Sequence, residues 1–304
     1  MTNSTAQTQT ARQIKTAKVK ALIDQLTFGV EVEQEGLRYG SDASVRTKHE
    51  MNALMNTRRH NWRIDYDGSI GHSGCEYVTG IMDYPASMEA VQEGVRIVKR
   101  NGGRPTSKCG IHIHVDGSRF LRDPKALVRL IKLVDKYENL MYHALMADNR
   151  NVHYNSLEGW AKPVCQDFMD RIDALGKNPT IQDIERVWYN GRGSRYSTYD
   201  RSRYRLLNLH ALWSKGTIEF RCFNGTLHAG RIKAYTQLSL LICAQALISK
   251  RVSRGQRTFD RSRAKYEVRT WLLQLCAFGE EFDTMRLLLT RHLQGNSAFH
   301  RTQA

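Results

Sequence analysis

The stretch Phe28-Gly-Val-Glu-Val-Glu-Gln-Glu-Gly36 constrains this chain more than any other. Its strict alternation predicts a β-strand, with Phe28, Val30 and Val32 on one face. Glu31, Glu33 and Glu35 then share the other face, with about 7 Å between successive carboxylates. Each repels the next. Such a face either lies in open water, where the repulsion is screened, or lines a site that binds cations.

Two further segments repeat the pattern. In GIHIHV, Ile111, Ile113 and Val115 share one face, and His112 and His114 the other. In TIEFRCF, the alternation sets Ile218, Phe220 and Cys222 against Thr217, Glu219, Arg221 and Phe223. A solvated strand usually carries Thr, Ser, Lys or Gln on its polar side. Here the polar sides carry Glu, His and Arg, the side chains that bind hard cations and phosphate. If the three strands are neighbours with these faces aligned, the glutamates converge, and bound cations would offset their repulsion.

The surrounding elements suggest an α+β chain. A helix is predicted over 11–26, after a polar N-terminus expected to fray. Others are predicted over 45–56, from Pro85 to Arg100, from Asp123-Pro124 to about Met146, and over 180–190, 229–249, 264–277 and 279–293. Strands are predicted over 62–70 (running into a turn), 75–81, 109–118, 205–212 and 216–223, the last two joined by the turn Ser214-Lys-Gly216. Strands cluster instead of alternating regularly with helices, which points to an antiparallel sheet. No repeat or linker divides the chain. The expected organisation is a tail and helix over 1–26, a main domain over 27–250, and a basic loop with C-terminal helices over 251–304 packed on the same domain.

The 304 residues carry a formal charge of +16, which favours acidic partners: nucleic acid, nucleotides, an anionic polymer or acidic substrates. Two basic segments, 191–205 and 250–265, contribute much of it, the first interleaving Arg with Tyr196, Tyr199 and Tyr204. There is no apolar run long enough for a membrane span and no secretory signal. The six cysteines, none in a CxxC pair, read as reduced thiols of a cytoplasmic protein. A catalytic role for Cys75 or Cys109 would need a base that the sequence does not supply. His49, His60, His72, His143, His153, His210, His228, His292 and His300 read as structural or surface residues.

Clustered glutamates with imidazole suit Mg²⁺ or Mn²⁺ better than zinc. Arg221 would point the same way as Glu219, where a transferring phosphoryl group needs positive charge. No GxxxxGK[ST] loop or kinase motif is present.

FGVEVE, WRIDYDGSI with CEYVTGI, CGIHIHV, RYRLLNL and GTIEFRCFNGTL occur in this order. Over roughly residues 27 to 245 the chain thereby resembles the amidoligase family, carboxylate–amine ligases related to glutamine synthetase and glutamate–cysteine ligase. The resemblance implies a curved antiparallel sheet with helices on its outer face, and a reaction that uses ATP and Mg²⁺ or Mn²⁺. The γ-phosphoryl would pass to a carboxylate, and an amine would attack the acyl phosphate. It implies Glu31, Glu33, Glu76, His112 and Glu219 as metal ligands, with Glu219 and Arg221 catalytic. Arg203, Asn208, Arg221, His114 and Asp67 would contact ATP, phosphate or substrate. Glu35 matches no family ligand and reads as a solvated strand end. The carboxylate and amine would be an amino acid, a peptide or a protein tail. Two other readings stand beside it: a metal-dependent hydrolase or nuclease, and an inactive, nucleic-acid-binding relative.

Overall fold

In the computed structural model, which describes residues 2–145, 161–258 and 260–298, the strands form one antiparallel sheet. They are β1 (Thr27–Glu35), β2 (Arg63–Asp65), β3 (Gly74–Val78), β4 (Met82–Asp83), β5 (Gly110–Asp116), β6 (Leu207–Asn208) and β7 (Thr217–Asn224). Their spatial order is β2-β3-β1-β5-β7-β6, with β4 paired to the start of β1. The acidic strand and the HxH strand are thus direct neighbours, and the Glu-Phe-Arg strand lies beside the HxH strand.

The helices are α1 (Thr2–Ile23), α2 (Asp42–Asn52), α3 (Met88–Arg100), α4 (Ser118–Arg122), α5 (Pro124–Leu145), α6 (Gln166–Ala174), α7 (Ile181–Tyr189), α8 (His210–Lys215), α9 (Ala229–Ile248), α10 (Ala264–Gln274) and α11 (Asp283–Thr290). Local chemistry sets several starts. Ser41 caps α2 by accepting from Ser44 N. Asp123 Oδ1 accepts from Ala126 N at the head of α5, where Pro124 needs no donor of its own. Thr180 and Asp183 close a reciprocal capping box on α7.

β5 packs on α9 and β7 on α5, and α1, α3, α5 and α11 pack around α9. Residues 234–244 of α9 are buried without interruption, because the helix is enclosed on all sides. Each fully buried Leu or Ile there contributes about 1.5–3 kcal/mol. No helix among the described residues is long and apolar enough to cross a membrane. At the C-terminal end, α10 packs on α5, and Arg257 donates to Glu267 at 2.6 Å.

Four expectations need correction. The helix expected at 11–26 begins at Thr2, as no Gly or Pro interrupts the polar segment before it. The strand expected over 205–212 is reduced to β6, and the chain turns at once into α8, so β6 pairs with β7 through a helical connection in place of the expected turn. Two helices, α4 and α6, lie where none was expected. Finally, a bulge on β7 places Phe223 opposite Ile111 and Phe220 opposite Ile113. Phe223 therefore leaves the polar face and stacks on Tyr235 of α9, with ring centroids 4.4 Å apart. Met146, His153 and His300 lie outside the described residues.

Candidate active site

Residues directly opposite in neighbouring strands point to the same face. Glu31 pairs with His112, Glu33 with Glu76, His114 with Glu219, and Asn208 with Glu219. The register thus gathers Glu31, Glu33, Glu76, His112, His114, Asn208 and Glu219 on the face opposite α5 and α9. Arg221 joins them from β7. The glutamates are not in open water: Glu31 is 7% exposed, Glu33 4% and Glu219 2%.

His112 sits at the centre. Its Nδ1 lies 3.0 Å from Glu31 Oε2 and 3.9 Å from both Glu76 Oε1 and Glu219 Oε1, and its Nε2 lies 3.7 Å from Glu33 Oε1. His114 faces the other oxygen of Glu31, with Nε2 3.1 Å from Oε1. Its Nδ1 is hydrogen-bonded to Thr217 Oγ1 at 2.8 Å, which orients the ring, while the buried Nε2 makes no hydrogen bond. Glu219 accepts from Arg221 Nη1 and from Asn208 Nδ2, both at 2.7 Å. Asn208 is held in turn by His210 N, which donates to its Oδ1 at 2.9 Å. Gly110 N donates to Glu33 Oε2 at 2.6 Å.

Among the described residues, three sets of side chains offer ligand atoms within 4.8 Å of one another: Glu31 with Glu76 and His112, Glu31 with His114 and Glu219, and Glu33 with Asp67 and Glu76. Asp67 therefore stands with two glutamates, and His114 completes a ligand set as His112 does. Arg203 is not brought to the carboxylates. Its guanidinium lies over the rings of Tyr199 and Tyr204, 5.3 and 5.0 Å from their centroids. Glu35 stands at the strand end and accepts from Ser73 Oγ at 2.6 Å.

The electrostatics divide the carboxylates. Burial pushes the Glu31 pKa up, but His114, His112 and Lys215 together take it well below the usual range. Burial also opposes the charge on Glu219, and Arg221 with His114 outweighs it, holding the carboxyl at about 2. Glu76 goes the other way. Burial, then Glu31, Glu33 and Asp67, raise it well above the usual range. Burial raises Glu33 too, with Asp67 adding to it against His112 and the Gly110 N–H. Burial and neighbouring carboxylates thus act against the charge on Glu76 and Glu33, while Arg221, Lys215 and the nearby imidazoles favour it on Glu31 and Glu219. A hard oxygen-rich set with imidazole nitrogen beside it fits Mg²⁺ or Mn²⁺.

Lys215, at the end of α8, has its Nζ 3.4 Å from Glu31 Oε1. The motifs did not reveal it, because residues 205–215 read as a strand and turn. Beside it opens a cavity of about 350 Å³, bounded by the start of β1, the β3–β4 turn and the α8–β7 turn. Arg59, Arg63 and Lys215 line it together with apolar Val78 and Ile81. Gly29 forms part of its floor on the same face as Glu31.

All six cysteines are free thiols. Burial raises Cys75 to about 11 and raises Cys109, so neither is poised as a nucleophile. Among the other histidines, His60 meets Asp83 at 3.1 Å, His210 Nδ1 meets Tyr189 Oη at 2.6 Å, and His228 caps α9.

The fold is thus an antiparallel α+β sheet with buried carboxylates, imidazoles and an arginine gathered on its open face. A family model described as "putative amidoligase enzyme" matches residues 24–243, and the chain belongs to that amidoligase family. The match contains every strand of the site. No curated protein matches the sequence significantly.

Proposed function

We propose that the protein is an ATP-dependent carboxylate–amine ligase that works through an acyl phosphate. The observation that carries this reading is the pairing, on one sheet face, of buried carboxylate–imidazole sets with Arg221 fixed beside Glu219. Glu31, Glu33, Glu76, Glu219 and the two site histidines would hold Mg²⁺ or Mn²⁺, with Asp67 completing the outer set. The cations would supply charge neutralisation and a template for the phosphate chain. A fold like that of glutamine synthetase and glutamate–cysteine ligase belongs to the same reading.

In the first step an oxygen of the substrate carboxylate attacks the γ-phosphorus of ATP, the bond to the β-γ bridging oxygen breaks, and ADP leaves. Arg221 would neutralise charge on the phosphoryl group in flight. Its buried Nε makes no hydrogen bond, so it has a donor to offer. In the second step an amine attacks the acyl carbon, phosphate departs, and the amine loses a proton. The amide forms with release of ADP and phosphate. The cavity lined by Arg59, Arg63 and Lys215 suits the nucleotide, since its cations match a triphosphate and its apolar walls a purine. The carboxylate and the amine would be amino acids, peptides or a protein tail.

Calorimetric titration of ATP with and without Mg²⁺ tests the reading without the unknown substrate. Wild type should bind ATP only with Mg²⁺. Glu219→Gln, folded by circular dichroism, should lose at least about tenfold in affinity. If ATP does not bind at millimolar concentration, the ligase reading fails. Cleavage of a nucleic acid on adding Mn²⁺ alone would instead fit a metal-dependent nuclease.

A further inference from the structure

Among the described residues, Arg221 and Lys215 touch the carboxylate cluster, and they differ in freedom. Arg221 lies on a central strand with its side chain 10% exposed and bonded to Glu219. Lys215 stands at the cavity mouth with its side chain 56% exposed and only its ammonium engaged, by Glu31 Oε1 at 3.4 Å. Its backbone is nevertheless fixed. Gly216 caps α8 in the left-handed region with φ +75°, and its carbonyl accepts from Gly117 N at 2.9 Å. An anchored base with a four-methylene stem can swing its charge through several ångströms without moving the fold.

The oxygen that Lys215 contacts, Glu31 Oε1, is also the one that faces His114 Nε2. Glu31, His114 and Glu219 form one of the three sets able to hold a cation. An ammonium and a divalent cation cannot both approach that oxygen without strong repulsion. On the other side of Lys215 is the cavity, where Arg59 and Arg63 already present positive charge.

We propose that Lys215 is a tethered counter-ion that competes with a divalent cation for Glu31 and, once displaced, turns into the cavity to hold an oligophosphate. Cation binding and anion binding are then coupled through one side chain, because the cation releases the group that grips the anion. The inference rests on the ligase reading only for the identity of that anion as ATP.

The test uses Mn²⁺ alone and then inorganic triphosphate, so that ATP is not needed. Calorimetry on wild type, Lys215→Met and the surface control Lys99→Met gives the affinities. Lys215→Met should bind Mn²⁺ alone about three- to tenfold more tightly than wild type, as its competitor is gone. With Mn²⁺ saturating, the same variant should bind triphosphate at least about tenfold more weakly. Lys99→Met should match wild type in both. Unchanged or weaker Mn²⁺ binding by Lys215→Met overturns the proposal, and so does triphosphate binding that is equal in the two proteins or absent from wild type. A separate ATP titration decides the ligase reading: loss of ATP binding with the Mn²⁺ and triphosphate effects intact sinks that reading and leaves Lys215 in its role.

Discussion

Arg221 donates to Glu219 Oε1 at 2.7 Å across two residues of one strand, with Glu219 buried and the Arg221 side chain 10% exposed. The bond is possible because Glu219 and Arg221 lie on the same face of β7, just before the bulge returns Phe223 to the core. A buried pair of this kind costs more to break than it gains in forming, since the abandoned charge stays in a poor solvent. Arg221→Met should therefore destabilise the protein by about 3 kcal/mol, seen in urea unfolding. Arg221→Lys should recover much of that loss but not ATP turnover, because a single ammonium cannot serve Glu219 and a phosphoryl group together. Wild-type turnover in Arg221→Lys would remove Arg221 from the chemistry.

The Glu76 carboxyl carries a sharper signature. Its pKa is raised well above its unfolded value, first by burial and then by Glu31, Glu33 and Asp67. The folded state thus binds a proton that the unfolded state releases near the ordinary carboxylate value. The associated stability is present below that value and lost as pH rises through the raised one. Without divalent cations, melting temperature should fall across this window, and Glu76→Gln should flatten the decline. Saturating Mg²⁺ should flatten it in wild type and raise stability, while giving Glu76→Gln much less. Melts across pH with and without Mg²⁺ check both statements. Equal Mg²⁺ stabilisation of the two proteins would place the cation elsewhere.

Much of this site was legible in three short segments, and the reason is the period of two. Alternation alone put Glu31 with Glu33, His112 with His114, and Glu219 with Arg221, and the structure keeps each pair on one face. The features that escaped depend on pairing between distant strands. The bulge that reassigns Phe223 exists only in the register of β7 against β5. Lys215 reaches Glu31 because residues 210–215 coil into a helix, where Leu206, Leu207 and Leu209 suggested that a strand continues. Arg203, which its motif suggests as a contact for ATP, phosphate or substrate, has its guanidinium over the rings of Tyr199 and Tyr204.

Glu138, on α5, gives a prediction away from the site. Its Oε1 accepts from Val164 N at 2.8 Å, and its buried Oε2 makes no hydrogen bond. Burial, with Asp135 adding to it against that N–H, pushes the carboxyl up to about 8. The sign is the same as for Glu76: stability is lost as pH rises from the ordinary carboxylate value through about 8. Glu138→Gln keeps an acceptor for Val164 and removes the charge. It should be more stable than wild type by ~1–2 kcal/mol above that pH, with the difference vanishing in mild acid. Chemical denaturation at the two extremes measures it, and a variant less stable than wild type at high pH would contradict the buried charge.

Gly29 offers the cleanest way to separate the cavity from the carboxylates. It continues the row of Glu31 and Glu33 on β1, but with no side chain, and the cavity opens where one would stand. The atoms nearest to a Cβ there are Thr79 Oγ1 at 3.6 Å, Gly80 O at 3.8 Å and His114 Cβ at 3.8 Å, which is ordinary contact. The backbone also needs no left-handed angle, so a β-branched residue suits the strand. Gly29→Val should therefore fold with a melting temperature near that of wild type. Its isopropyl group would fill part of the cavity floor and leave every candidate ligand in place. ATP affinity should fall about tenfold or more, whereas Mn²⁺ affinity measured alone should stay within about twofold. Gly29→Ala should show a smaller loss in the same direction. If Gly29→Val binds ATP as tightly as wild type, the nucleotide does not occupy this cavity. If it loses Mn²⁺ as well, the cavity and the cation set are one unit.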